Sequence, residues 1–305
     1  MTLPPTAVPV CYRHPSRETY VRCTRCDRPI CPDCMNEASV GHQCPECVAQ
    51  GRRTQRSART AFGGTQRGQR GTVTLSLIAI NVVVMLIALA TAQRGAGRAL
   101  GGQGFGGLIG GVTPLHLWGS VLGAATYGPG GTLHGIAVGE YYRLFTAMFL
   151  HFGLLHLIMN MWALWVLGRN LEAALGPARF LALYLVSGIG GNVAAYVFGN
   201  PAAPTAGAST ALFGLFGALI FVLRKLGLSV SSVIPILVIN LFITFSIPNI
   251  SIAGHLGGLV TGAIVGAGLA YAPRNGRTQV QVGVIVGTLL LLGMATVART
   301  ALLVG

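Results

Sequence analysis

Long apolar runs, interrupted by short polar segments, occupy most of the chain after residue 71. Seven of these runs come near the roughly 20 residues that a helix needs to cross a bilayer. We place the predicted spans at residues 72–92, 144–167, 178–199, 209–226, 229–246, 252–272 and 280–300. The pattern therefore predicts an all-α polytopic membrane protein.

The composition agrees with this class and adds a second domain. Of the 305 residues only 9% are charged and 52% are apolar, and the mean hydropathy is +0.64. All seven cysteines precede residue 48. We therefore predict a Cys/His domain at residues 1–50, a flexible basic linker at 51–71 and a membrane domain at 72–305.

The formal charge of +14 is best explained by membrane topology. Six arginines precede the first span, where the positive-inside rule expects a cytoplasmic flank, namely Arg52, Arg53, Arg56, Arg59, Arg67 and Arg70. The rule predicts a cytoplasmic N-terminus, and seven spans then place the C-terminus outside. We expect membrane lipid as a partner and no nucleic acid.

The start of the chain gives a further expectation about targeting. The sequence "MTLPPTAVPVC" has no basic segment followed by an apolar one, so no cleaved signal peptide is expected. We predict a multi-pass protein of the cell (plasma) membrane.

Few polar side chains interrupt the spans, and each is costly in hydrocarbon, which makes it a functional candidate. They are His151, His156, Asn160, Ser209 and His255. The alternative for Ser209 is that it is a small packing residue. The alternative for His255 is an interhelical hydrogen bond.

Ser209 and His255 both lie in the opening turn of spans that run from outside to inside, so they are expected at one depth. The span that Ser209 opens is short, about 22 Å against a hydrocarbon core of about 30 Å, and should begin below the surface in a cavity that water enters. His156 lies about twelve residues into its predicted span, about 18 Å along it, and so is expected deeper.

A ridge of glycines along the sixth predicted span would let another helix approach closely. Glycine recurs with period four at positions 254, 258, 262 and 266. If the neighbour is the span that Ser209 opens, a histidine meets a serine whose proton it can accept. No Asp follows Asp33, so such a site would be a dyad and not a triad.

Four segments resemble the rhomboid family of intramembrane serine proteases, namely "GEYYRLFTAMFLH", "HFGLLHLIMN", "GAST" and "GHLGGLVTG". The resemblance covers nearly all of residues 72–272 and implies a six-helix core followed here by one additional C-terminal span. It implies Ser209 as the nucleophile, His255 as the general base, and an oxyanion hole of His156, Asn160 and the Ser209 backbone N–H. It also implies structural roles for Arg143, Glu172, Gly258 and Gly262.

The implied activity is that of a serine endopeptidase that cleaves single-span membrane proteins and needs no catalytic cofactor. The family usually reads Gly-x-Ser-Gly, whereas Thr210 stands here in place of the last glycine, which could narrow the pocket. The alternative is a catalytically inactive rhomboid-like adaptor that binds transmembrane helices. A transporter is disfavoured because the spans contain no Asp.

The N-terminal domain contains four Cys-x-x-Cys or Cys-x-x-His pairs, which are Cys11/His14, Cys23/Cys26, Cys31/Cys34 and Cys44/Cys47. Eight ligands suit two tetrahedral structural Zn²⁺ ions. Only four residues separate Cys26 from Cys31, which favours pairing the first with the third and the second with the fourth, as in B-box-type zinc fingers. His42 could compete with Cys44, but the paired spacing favours Cys44. Such a domain could bind a cytosolic protein partner.

Overall fold

The computed structural model of the protein describes residues 8–54, 58–92, 111–127, 131–248 and 250–304. Contacts within the chain separate two compact units, Met1–Ser57 and Ala58–Gly305. Each unit has its own buried core. The glycine-rich start of the loop expected between the first two spans, at 93–110, lies outside the described residues.

The smaller unit is built around its cysteines. Strand β1 (Asn36–Glu37) pairs antiparallel with β2 (His42–Gln43), and helix α1 (Pro45–Thr54) follows. The fully buried core consists of Ile30 and six cysteines. A unit of this size with so little aliphatic core depends on cross-links or metal for its stability.

Helices make up most of the larger unit. They are α2 (Thr72–Thr91), α3 (Pro114–Gly119), α4 (Arg143–Thr146), α5 (Leu154–Leu175), α6 (Pro177–Phe198), α7 (Ser209–Lys225), α8 (Val233–Ser246), α9 (Ile252–Tyr271) and α10 (Arg277–Val304). The strands β3 (Ala125–Tyr127) and β4 (Thr132–His134) form a hairpin between α3 and α4. The predicted all-α polytopic membrane class is confirmed.

Within the described residues, four helices are long and apolar enough to cross a membrane alone, α2, α6, α9 and α10. A fifth span is formed if Arg143–Phe149 and α5 are taken together, although they meet at 91°. Helix α7 has 17 residues and α8 has 14, so both are shorter than an ordinary span. The shortness of α7 is as the sequence predicts, and its start below the membrane surface stays a prediction.

The second predicted span, 144–167, is wrong as a single helix. The backbone is extended at Leu150, and Gly153 has a φ of +94°, a value that favours glycine. Helix α5 therefore begins at Leu154, and His156 lies in its first turn. The greater depth expected for His156 is corrected accordingly.

The structure also differs from the flexible linker predicted at 51–71. Helix α1 continues to Thr54, and residues 58–71 belong to the larger unit and pack against its helices. Phe62 is 3% exposed and belongs to the core of that unit. Its carbonyl accepts a hydrogen bond from Gln281 Nε2 at 3.3 Å. The absence of apolar periodicity concealed this packing, because backbone groups form most of it.

Helix α9 packs on α7 through glycines. A Cβ atom on Gly258 would overlap the carbonyl oxygen of Thr210, and one on Gly262 would overlap the backbone of Gly214. Only hydrogen fits at these two positions, so the helix axes approach closely. This contact brings the first turns of α7 and α9 together.

Two buried charged residues hold the ends of the helices. Arg143 donates to Glu140 at 2.6 Å and to the Leu117 carbonyl at 2.7 Å, which ties the loop before α4 to α3. The Glu172 carboxylate accepts from the backbone N–H groups of Val73 and Thr74 at 3.0 and 2.8 Å. It thereby satisfies donors that the start of α2 leaves free.

Candidate active site

The described structure brings Ser209 and His255 into hydrogen-bond contact. Ser209 is the first residue of α7 and His255 lies in the first turn of α9. The Nε2 atom of His255 lies 2.8 Å from the Oγ atom of Ser209. This is the distance at which an imidazole can accept the proton of a serine hydroxyl.

Two neighbours fix the imidazole ring of His255. The ring of Phe213 stacks on it with centroids 4.2 Å apart and an interplanar angle of 17°. The Nδ1 atom of His255 lies 2.7 Å from the Oγ1 atom of Thr244 on α8. The Thr244 residue is 2% exposed. Sequence reasoning missed Thr244. The available signal was a hydroxyl within an otherwise apolar span, next to the histidine-bearing helix.

His156 and Asn160 lie one turn apart on α5. The Cε1–Nε2 edge of His156 faces Gly207, where a Cβ atom would lie 2.9 Å from both ring atoms and 3.2 Å from Ser209 Oγ. The Nδ2 group of Asn160 is buried without a hydrogen-bond partner among the described residues. The start of α5 thus places the His156 ring near Ser209 and an uncommitted Asn160 amide one turn further along the helix.

The loop before Ser209 has a backbone that favours glycine. Gly207 has a φ of +147°, and its N–H donates to the Ala147 carbonyl at 3.0 Å. The next N–H, that of Ala208, points to Nε2 of His151 at 3.5 Å. His151 therefore supports the chain just ahead of the serine, a contact that its position in the sequence did not indicate.

Thr210 points into the seam between α6 and α9. It is 6% exposed, and its Oγ1 atom lies 3.5 Å from the Gly188 carbonyl. A Cβ atom on Gly191 would lie only 2.6 Å from Thr210 Cβ, so the threonine occupies space that this glycine leaves. The side chain is thus accommodated by glycines on the neighbouring helices.

A cavity of about 830 Å³ adjoins the start of α9. It is lined by the end of α6, the loop that follows α6, and residues on both sides of the α9 N-cap Ser251. Most of its lining is apolar, with backbone and hydroxyl groups interspersed. Ser251, on the wall of this cavity, lies one turn before His255 in the chain.

The predicted metal ligands form two clusters. One contains Cys11, His14, Cys31 and Cys34, and the other Cys23, Cys26, Cys44 and Cys47. The ligand atoms of each cluster lie within 4.8 Å of one another. The Sγ atoms of Cys26 and Cys44 are 3.7 Å apart, close to the roughly 3.8 Å that tetrahedral zinc–thiolate geometry requires. His42 lies on β2 and belongs to neither cluster.

The thiol pKa values show why a cation suits these clusters. Burial acts to raise the pKa of Cys11, but backbone N–H groups outweigh it and lower the pKa to about 6. The Cys23 thiol behaves alike, with a pKa of about 6. Burial and neighbouring sulfur atoms raise the pKa of Cys47 to about 12, because a second thiolate is disfavoured beside the first. A divalent cation removes that conflict.

Comparison with known proteins places this site in a family. A family model described as "Rhomboid domain" matches residues 138–272, which include Ser209, His255, His156 and Asn160. The chain is 44% identical over 149 residues to "Rhomboid protease GluP" of Bacillus subtilis (strain 168), covering 46% of this chain and 28% of that protein.

Two further relatives support the same conclusion. The chain is 38% identical over 136 residues to "Putative rhomboid protease YdcA" of Bacillus subtilis (strain 168), covering 43% of this chain and 68% of that protein. It is 38% identical over 144 residues to "RHOMBOID-like protein 6, mitochondrial" of Arabidopsis thaliana, covering 45% of this chain and 46% of that protein. The chain belongs to the rhomboid family.

Proposed function

We propose that this rhomboid is a serine endopeptidase that hydrolyses peptide bonds in the transmembrane segments of other membrane proteins. The observation that carries the proposal is the 2.8 Å contact between Ser209 Oγ and His255 Nε2. A serine hydroxyl becomes a nucleophile when a positioned base takes its proton. Among the described residues, no carboxylate contacts His255, so the pair acts as a dyad.

The proposed reaction has two stages. Ser209 Oγ attacks the scissile carbonyl carbon while its proton passes to His255 Nε2, and the resulting imidazolium then protonates the departing amine. Water next attacks the acyl–serine ester, with His255 again taking a proton. Collapse of the second tetrahedral intermediate returns that proton to Ser209 and releases the new carboxyl end.

The negative oxygen of each tetrahedral intermediate needs hydrogen-bond donors already in place. The N–H of Ser209 opens α7 and has no intrahelical acceptor. The His156 ring faces the loop before Ser209, and the unpartnered Asn160 Nδ2 group lies one turn further along α5. Loss of one such donor typically costs about 3 to 4 kcal/mol of transition-state stabilisation.

The inactive-adaptor alternative depended on Thr210. Its side chain packs against Gly191 and Gly254 on α6 and α9. These contacts give Thr210 a packing role outside the His156–Ser209 space. We therefore favour the active enzyme.

The proposed substrates are single-span membrane proteins, because the reacting groups lie at the start of a membrane-embedded helix. The 830 Å³ cavity, whose wall includes Ser251 one turn before His255, offers room for an unwound peptide segment and for water. Its largely apolar walls suit a chain that leaves the bilayer.

We further propose that the Cys/His clusters hold two structural Zn²⁺ ions, one in each set of four ligands. Zinc would cross-link segments that bury little aliphatic surface, and chelation would unfold this unit. We place the unit in the cytosol, where it could bind a protein partner, with the C-terminus outside the plasma membrane. The basic residues at the starts of α2 and α10 support this orientation.

The decisive experiment is cleavage of labelled single-span substrates by purified protein, alongside Ser209→Ala and His255→Ala. We expect both variants to lose cleavage and fluorophosphonate labelling at residue 209. Ser187→Ala is a matched control, because Ser187 is a buried serine on α6 whose hydroxyl contacts no base and has no hydrogen-bond partner among the described residues. Equal cleavage by all variants would contradict the dyad, and inactivity of the wild type with unlabelled Ser209 would favour the adaptor.

A further inference from the structure

The hydrogen bonds around Thr244 determine which nitrogen of His255 carries the proton. Thr244 Oγ1 lies 2.7 Å from the Asn240 carbonyl oxygen and 2.7 Å from His255 Nδ1. The hydroxyl has one proton, and a carbonyl oxygen can only accept. The proton therefore points to Asn240, and the lone pairs of Thr244 face the imidazole.

Only one arrangement gives each of the three contacts, Thr244 to Asn240, His255 to Thr244 and Ser209 to His255, its own hydrogen-bonding proton. His255 Nδ1–H donates to Thr244, and His255 Nε2 accepts from Ser209 Oγ–H. With the proton on Nε2 instead, Ser209 would face a donor, and Thr244 would have to leave one of its two acceptors unsatisfied.

We propose that Thr244 is a positioning residue that holds His255 in the tautomer able to act as a base. This proposal rests on the proposed protease function and extends it to α8. The bond also orients the imidazole as its positive charge develops, a task for which serine proteases with triads use a carboxylate. Thr244 does this without placing a charge in the membrane.

The test compares Thr244→Val, which keeps the shape but removes the acceptor, with Thr244→Ser, which keeps the hydroxyl. We expect Thr244→Val to lower kcat and the rate of fluorophosphonate labelling about tenfold, with KM and the unfolding temperature unchanged. Thr244→Ser should retain both rates. Thr288→Val is the matched control, because Thr288 donates only to its own helix at 2.8 Å.

A spectroscopic measurement keeps the proposal falsifiable if Thr244→Val does not fold. Nitrogen-15 NMR of labelled wild type should show His255 protonated at Nδ1, with its signal identified by its loss in His255→Ala. A signal for Nε2 protonation, or wild-type labelling rates in folded Thr244→Val, would overturn the role of Thr244. If the wild-type protein shows no protease activity while His255 is protonated at Nδ1, the result would instead contradict the protease function alone.

A second inference comes from three arginines at the opposite end of the bundle, where α2, α6 and α10 begin. Arg59 Nη1 donates to the Gly63 carbonyl at 3.1 Å. A Cβ atom on Gly63 would lie 3.4 Å from Arg179 Nη2 and 3.4 Å from Arg277 Nη1. Three guanidinium groups from three parts of the chain thus converge on one loop.

Nothing in the described part of the larger unit neutralises this arginine cluster. Beyond residue 50 the chain has two acids, Glu140 and Glu172. Glu140 pairs with His134 and Arg143, and Glu172 accepts from the start of α2. No ion pair among the described residues includes Arg59, Arg179 or Arg277, which leaves these guanidinium groups open to an anion from outside the chain.

The orientation of the guanidinium groups is held by hydrogen bonds. Arg179 Nε donates to Gln281 at 2.8 Å, and Arg277 Nη1 donates to the Ala61 carbonyl at 2.9 Å. Each arginine has five N–H groups, so further donors stay available. We infer that this cluster binds the phosphate of an anionic phospholipid, whose oxygens can accept from two guanidinium groups at once.

Binding of fluorescent phosphatidylglycerol to the full chain in detergent tests this site. Arg59→Gln, at an exposed position, should weaken binding about tenfold. Arg224→Gln, an equal charge change at the same end on the last turn of α7, should change binding less than twofold. Equal losses in the two variants, or no binding by wild type, would overturn the site. Competition by inorganic phosphate at equal concentration would overturn the lipid as its occupant.

Discussion

Gly258 lies so close to Thr210 that a Cβ atom on the glycine would overlap the threonine carbonyl oxygen. This contact sits between Ser209, which precedes Thr210, and His255, which lies three residues before Gly258. The separation of the two reacting groups therefore depends on a backbone contact between α7 and α9.

Gly258→Ala should separate these helices and weaken the protein. Overpacking typically costs about 1 to 3 kcal/mol of unfolding free energy, and fluorophosphonate labelling of Ser209 should fall in parallel. Gly287→Ala on α10 is the control, because nothing lies within 4 Å of its Cβ position. Thermal unfolding and labelling together check the prediction, and equal stability of the two variants would contradict the close contact.

Thr210→Gly, which restores the usual family residue, should lower stability and leave labelling of Ser209 intact. The change opens a gap beside Gly191 and places a flexible glycine in the first turn of α7. We expect a loss of about 1 to 2 kcal/mol, measured by thermal unfolding. A faster labelling rate at unchanged stability would instead mean that Thr210 restricts the oxyanion site.

Glu140 should make stability pH-dependent at the acidic end. Burial acts to raise its pKa, but hydrogen bonds from His134, Arg143 and the Gly135 N–H outweigh it and lower the pKa. A carboxyl group whose pKa is lower in the folded state than in the unfolded state stabilises the fold at pH values above its unfolded-state pKa. This contribution is lost as the pH falls through the folded-state pKa. Wild type should therefore lose its advantage over Glu140→Gln as the pH falls below the ordinary pKa of a glutamate, measured as the difference in unfolding temperature. A constant difference would argue against the prediction.

The purified protein should contain two equivalents of zinc, measured by mass spectrometry of the metal. Cys11→Ser and Cys23→Ser should each reduce the zinc content, since they lie in different clusters. His42→Ala should retain both ions, because His42 is in neither cluster. Chelation should make the N-terminal unit sensitive to protease while Ser209 is still labelled, and loss of labelling on chelation would contradict this expectation.

Local signals in the sequence were sufficient for several features. Ser209 and His255 were recognisable as polar residues in the opening turns of two apolar spans, and the paired cysteines indicated the alternating grouping seen in the two clusters. Hydropathy could not show the break between Leu150 and Gly153. It measures how well residues tolerate hydrocarbon, and residues 144–150 are mostly apolar whether they cross the membrane or turn along it.

By itself, the sequence determined the helical membrane class, the separate cysteine-rich unit and the short span behind Ser209, because each follows from composition and spacing along one segment. Only the tertiary structure decided that α5 begins at Leu154, which brings His156 to the level of Ser209, and that Thr244 contacts His255 Nδ1. Those relations join residues on different helices. They depend on how closely the helices pack, which no single segment encodes.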